Sequence, residues 1–130
     1  QRKETPRCRF VAGDCLADDL GRGYDVALLS NIVHALDAET NRRLLRKVYA
    51  ALAPGGCVLI KDFLIEDETA ALPFTPLFGL HILLHTKAGR TYAVSDVQAW
   101  TRDAGFERGR LAAPSERARV WIAVRPGPTT

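Results

Sequence analysis

The sequence predicts an α/β fold with a mostly parallel sheet that closes in an antiparallel hairpin. Three observations carry this. Three short apolar segments, Phe10–Ala12, Val26–Leu29 and Val58–Ile60, each run into a polar or acidic residue, and apolar runs of this length read as strands buried on both faces. A helical pattern separates the second from the third, and strand–helix–strand alternation points to parallel pairing. Two final strand-like segments, Phe106–Ala112 and Arg119–Val124, are joined through Pro114-Ser115-Glu116. So short a connection implies a hairpin and antiparallel pairing.

The elements come in this order. Residues 1–7 are polar. Arg9–Ala12 reads as a strand that ends at Gly13-Asp14. Leu16–Gly23 reads as a loop, with Gly21 and Gly23 as turn residues. Asp25–Leu29 is the second strand. Asp37 or Thr40 caps the next helix, on which Leu44, Leu45, Val48 and Leu52 recur at helical spacing with arginines opposite. Pro54-Gly55-Gly56 stops that helix. Val58–Ile60 is the third strand. After an acidic, alanine-rich stretch at 66–72, Pro73–Thr86 is apolar over a helical length, and a helix this apolar is buried or lines a hydrophobic pocket. Ser95 is the expected cap of a short helix that ends at Gly105.

Composition bounds the function. The 130 residues suit one domain, and 47% hydrophobic with 25% charged residues is ordinary for a globular protein. The net charge of +3 is spread along the chain, and the cluster Arg42, Arg43, Arg46 and Lys47 reads as a solvated helix face. No nucleic-acid or membrane partner is expected. Cys8, Cys15 and Cys57 lack metal-ligand spacing and read as reduced thiols of a cytoplasmic protein. His81 and His85 are spaced i, i+4 but have no glutamate in the zinc-motif place. There is no methionine, so residue 1 is not a translation start and further sequence is expected upstream.

In open α/β sheets ligands sit at the carboxyl ends of the strands. Asp14, Ser30, His34 and Asp62 all come after strand-like segments, so one crevice is expected to gather them. Side-chain chemistry alone also allows plainer roles. On that chemistry alone His34 reads first as a loop histidine without a role, while Asp62 also reads as a solvated or helix-capping acid, Asp14 as a turn former, Ser30 as a buried hydroxyl and Cys15 as packing.

The segments RFVAGD, YDVALLSNIVHALDAE, LAPGGCVLIKDFL and AGRTYAVSDVQAWTRDAGF resemble the second half of S-adenosylmethionine-dependent small-molecule O-methyltransferases. These are the group of plant phenolic, acetylserotonin and bacterial polyketide enzymes. The resemblance runs over residues 8–125. It implies that residues 1–130 are the C-terminal portion of a catalytic domain with a partial class I, Rossmann-like methyltransferase sheet. It also implies methyl transfer from S-adenosylmethionine to a hydroxyl of an aromatic or polyketide-like acceptor, by a protein that is a homodimer at full length.

By resemblance Asp14 meets the adenine amino group, Cys15 lies against the adenine ring, and Ser30 contacts the cofactor. His34 takes the hydroxyl proton and Asp62 is its acidic neighbour. Phe78, Ile82 and Thr86 line the acceptor pocket. The chain departs from the pattern at Ala35-Leu36, where relatives often carry Asp-Trp, and near Thr91, where plant members have a second glutamate. The glycine-rich cofactor turn and the ribose-binding acid are expected upstream. The alternative is a fragment, or half of an assembly, that cannot bind the cofactor alone.

Overall fold

The computed structural model describes residues 7–65, 91–114 and 119–128. Along the chain come β1 (Tyr24–Ser30), a 3₁₀ turn (Val33–Ala35), α1 (Ala38–Ala51), β2 (Leu52–Asp62), α2 (Val94–Ala104), β3 (Glu107–Ala112) and β4 (Arg119–Val124). The sheet order is β1-β2-β4-β3. β1 pairs with β2 in parallel, while β2 with β4 and β3 with β4 are antiparallel.

The α/β class and the closing hairpin therefore hold. The mostly parallel sheet does not: within the described residues one pairing is parallel and two are antiparallel, because β4 enters between β2 and β3. The strand expected at Arg9–Ala12 is also absent. Those residues have no regular structure, and Phe10 and Val11 are exposed. A strand is held by hydrogen bonds to a neighbour, which apolar character alone does not supply.

Asp37 starts α1, its Oδ1 accepting from Thr40 N at 2.7 Å. The helix ends at Ala51, without the predicted glycine stop. Instead the Arg125 guanidinium donates to the carbonyls of Tyr49 (2.9 Å) and Leu52 (2.5 Å), satisfying the helix end from a distance. Pro54-Gly55-Gly56 lies inside β2, where the register jumps from Tyr24↔Leu52 to Val26↔Cys57. Gly55 has φ +84° there, a geometry open to glycine. α2 begins one residue before Ser95, with Ala93 as its cap and the Ala93 amide donating to Asp96 Oδ2 at 3.0 Å. Gly105 ends it in the left-handed region, as expected.

Among the described residues the core lies between α1, α2 and one face of the sheet. Leu44, Leu45 and Val48 of α1 meet Val97 and Trp100 of α2, Val58 and Ile60 of β2, and Trp121 and Ala123 of β4. β2 alternates strictly over its last residues, with Val58, Ile60 and Asp62 on this buried face. The other face is less covered. On β1, Val26 is 54% and Leu28 63% exposed. No helix among the described residues is long and apolar enough to cross a membrane.

Candidate active site

The parallel pairing of β1 and β2 brings their last residues side by side, Ser30 opposite Lys61. Asn31 then takes φ +56°, a left-handed turn that asparagine tolerates, and its amide donates to Lys61 O at 2.9 Å. The chain swings into the 3₁₀ turn that carries His34, while β2 ends one residue later at Asp62. Two residues separated by 28 positions thereby meet: His34 Nδ1 lies 2.9 Å from Asp62 Oδ1.

Asp62 is 2% exposed and His34 16%. Besides the ring, Asp62 accepts from Phe63 N through Oδ1 at 2.8 Å and from His34 N through Oδ2 at 3.3 Å. A carboxylate can only accept, so in the neutral imidazole the proton sits on Nδ1 and the lone pair on Nε2. The backbone bond fixes the turn and the ring bond fixes the tautomer. Such a pair can take a proton at Nε2 and share the resulting charge with the acid behind it.

Asp14 and Cys15 form a second group. They line a cavity of about 390 Å³ together with Arg9, Asp18, Leu20 and Tyr24. Asp14 Oδ1 accepts from Leu16 N at 2.8 Å, and its amide donates to Asp18 Oδ2 at 2.8 Å, so the loop is a small self-bonded turn. Its far side is anchored by Lys47 of α1. The ammonium donates to the carbonyls of Cys15 (2.9 Å), Leu16 (2.9 Å) and Asp18 (2.5 Å), using all three of its hydrogens. Lys47 was legible only as part of a basic helix face; nothing in its spacing announces a loop anchor.

The expected gathering of side chains is thus seen as two pairs. The cavity at Asp14 and Cys15 is not lined by Ser30, His34 or Asp62. Ser30 is exposed at the end of β1. Phe78, Ile82 and Thr86 lie outside the described residues, as do His81 and His85. Among the described residues no cluster of His, Cys, Asp or Glu is placed to hold a metal. Two residues that sequence reasoning passed over support the His34 turn: Asn41, fully buried in α1, and Tyr92, packed edge-on against Trp100 at 4.7 Å.

This arrangement is an α/β methyltransferase-like fold. Human N-acetylserotonin methyltransferase, solved in complex with SAM, superposes with a TM-score of 0.86 at 22% identity, over 97% of this chain and 36% of that one. The chain belongs to the O-methyltransferase domain family, whose model matches residues 1–107. It is 33% identical over 122 residues to the tetracenomycin polyketide synthesis 8-O-methyl transferase of Streptomyces glaucescens, covering 94% of this chain and 36% of the relative. It is 38% identical over 106 residues to the 3-hydroxy-5-methyl-1-naphthoate 3-O-methyltransferase of Streptomyces sahachiroi, covering 82% of this chain and 30% of the relative. An O-methyltransferase family 2 protein of Planctomyces limnophilus, solved with apigenin, matches with a TM-score of 0.79 at 26% identity, over 87% of this chain and 33% of that one. The chain therefore spans about a third of the length of these relatives.

Proposed function

We propose that the chain is the catalytic-base and adenine-side part of an S-adenosylmethionine-dependent O-methyltransferase, acting on a hydroxyl of an aromatic or polyketide-like small molecule. The observation that carries this is the 2.9 Å contact between the His34 ring and the buried Asp62 carboxylate. Its relatives act on such acceptors by their names, a tetracenomycin polyketide and a hydroxynaphthoate.

The residues present fit one end of the cofactor. Asp14 commits Oδ1 to Leu16 N, and no partner for Oδ2 is found among the described residues. A carboxylate with one oxygen uncommitted, on a residue that lines a cavity of this size, suits an exocyclic amino group, and Cys15 lines the same cavity. Ser30 would reach the cofactor from the end of β1. When bound, the cofactor supplies an electrophilic methyl group on sulfur. The chain's own part is to remove a proton and hold a geometry. A phenol, with an ordinary pKa of about 10, is mostly protonated at neutral pH. His34 Nε2 accepts the hydroxyl proton as the oxygen becomes the nucleophile. Asp62 holds the ring in that tautomer and steadies the imidazolium. The apolar stretch with Phe78, Ile82 and Thr86 is assigned to the acceptor wall.

The test is methyl transfer by the full-length protein to a panel of phenols, with the products read by mass spectrometry. His34→Ala is expected to lower kcat by between about 10²- and 10⁴-fold, the usual worth of a general base. Undiminished activity in that variant removes the role.

A second reading concerns the chain by itself. The exposed apolar residues on β1 invite pairing with another polypeptide. On this reading the isolated 130 residues bind no cofactor. Tight binding of S-adenosylmethionine to the isolated chain in a calorimeter contradicts it.

A further inference from the structure

The buried amide of Asn41 sits where a helix normally places an apolar side chain. The buried residues of α1 are Asn41, Leu44, Leu45, Val48 and Ala51, the first four at the i, i+3, i+4, i+7 spacing of a core face. Its Nδ2 donates to Val33 O at 3.0 Å and to Leu36 O at 3.3 Å, the carbonyls on either side of His34. Its Oδ1 is buried and has no hydrogen-bond partner among the described residues. Orphaned acceptors of this kind are unfavourable and uncommon in folded proteins.

The two carbonyls do not depend on Asn41 for satisfaction. Val33 O also accepts from Leu36 N at 3.3 Å, and Leu36 O from the Tyr92 hydroxyl at 2.6 Å. The amide thus brings an orphaned oxygen into the core without rescuing any group that lacks a donor. What it adds is position: it ties the rigid helix to both shoulders of the turn bearing His34. Tyr92 ties the same turn from the segment that leads into α2. A polar residue that breaks the local pattern with no packing gain marks a functional constraint.

We infer that Asn41 and Tyr92 are positioning residues, which clamp the Val33–Leu36 turn so that the His34 ring stays aligned on Asp62 with Nε2 facing the acceptor. This rests on the reading of His34 as the base, which His34→Ala tests separately. The clamp is tested in the full-length protein with Asn41→Leu and Tyr92→Phe. Asn41→Leu removes the orphaned oxygen and completes the apolar stripe, so its Tm is expected to equal or exceed that of the wild type. Its kcat is expected to fall by between about 10- and 100-fold, the scale of a misplaced reacting group. KM for S-adenosylmethionine stays unchanged, because Asp14 and Cys15 lie on another loop.

A readout independent of activity is the ¹⁵N resonances of the His34 ring. The wild type shows one tautomer with the proton on Nδ1, and the variants show a mixture of the two. Wild-type kcat together with a single tautomer in a folded Asn41→Leu protein overturns the inference. If that variant does not fold, Tyr92→Phe decides by the same two measurements, since it removes only a hydroxyl and leaves the ring on Trp100. Full activity in His34→Ala beside a mixed tautomer in Asn41→Leu refutes the base and supports the clamp, so the two failures are distinguishable.

Discussion

Replacing Asp62 by asparagine removes a charge while keeping the side chain's shape, and the hydrogen bonds around it decide the outcome. The wild-type carboxylate takes two short bonds on Oδ1, from His34 Nδ1 at 2.9 Å and Phe63 N at 2.8 Å, and one long bond on Oδ2, from His34 N at 3.3 Å. Asparagine offers a single acceptor oxygen. With that oxygen in the Oδ1 place, both short bonds survive and the NH₂ group confronts the His34 amide. With it in the Oδ2 place, only the long bond survives, and NH₂ faces both Phe63 N–H and the ring. The first orientation loses less and prevails. The tautomer is therefore retained, and the lost element is the negative charge behind the imidazolium.

One donor facing another in a buried place costs about 1–3 kcal/mol. In a protein larger than ~150 residues each kcal/mol lowers Tm by about 2–4 °C or less. In Asp62→Asn, kcat is expected to drop by about 10²-fold, the lower end of what proton transfer contributes. The assay is steady-state methyl transfer with cofactor and acceptor both varied, alongside thermal unfolding by circular dichroism. A lowered Tm with kcat within a factor of about 3 of wild type would falsify the partnership, because the acid would then be structural only.

Two further outcomes are expected. Lys47→Ala releases three carbonyls of the Cys15–Asp18 turn, so amide hydrogen exchange at Leu16 and Asp18 quickens while β2 and β4 keep their protection. Lys47→Arg does not restore it, because a planar guanidinium cannot converge on three carbonyls as an ammonium does; equal protection in all three proteins contradicts the anchor. Gly109→Ala puts a methyl group 2.2 Å from Trp121 Cζ2, displacing a ring whose Nε1 donates to the buried Thr101 Oγ1 at 3.0 Å. The expected loss is about 1–3 kcal/mol, with a shift in tryptophan emission, and an unshifted spectrum at wild-type stability counts against the contact.

How much was legible in the sequence depended on how local each cause is. The meeting of His34 with Asp62 came from adjacent strand ends, since Ser30 and Lys61 are register partners and both residues lie just after them. Asp37 as a helix start was equally local. The failures have long-range causes. Phe10 and Val11 look like a strand by composition, but a strand also needs a hydrogen-bonded neighbour. Pro54-Gly55-Gly56 looks like a stop, yet at Gly56 a Cβ would come within 3.1 Å of three backbone carbonyls, so the pair serves a close strand approach. Asn41 reads as one polar residue among arginines, and its task appears only once the turn at Val33–Leu36 is folded over it. The apolar stretch with Phe78, Ile82 and Thr86 read from its apolarity as buried or pocket-lining, family resemblance alone named the acceptor as its contact, and it falls outside the described residues.

The reversed direction of β4 has a consequence for how this protein can diversify. Running against β2, it brings its first residue, Arg119, opposite Asp62, so β4 starts at the end of the sheet where the His34 ring meets Asp62. Substitution at this strand start reshapes that end of the sheet while leaving the core positions of β2 and β4 intact. Change concentrates readily where strands give way to loops, and here such a strand end lies beside the His34–Asp62 pair.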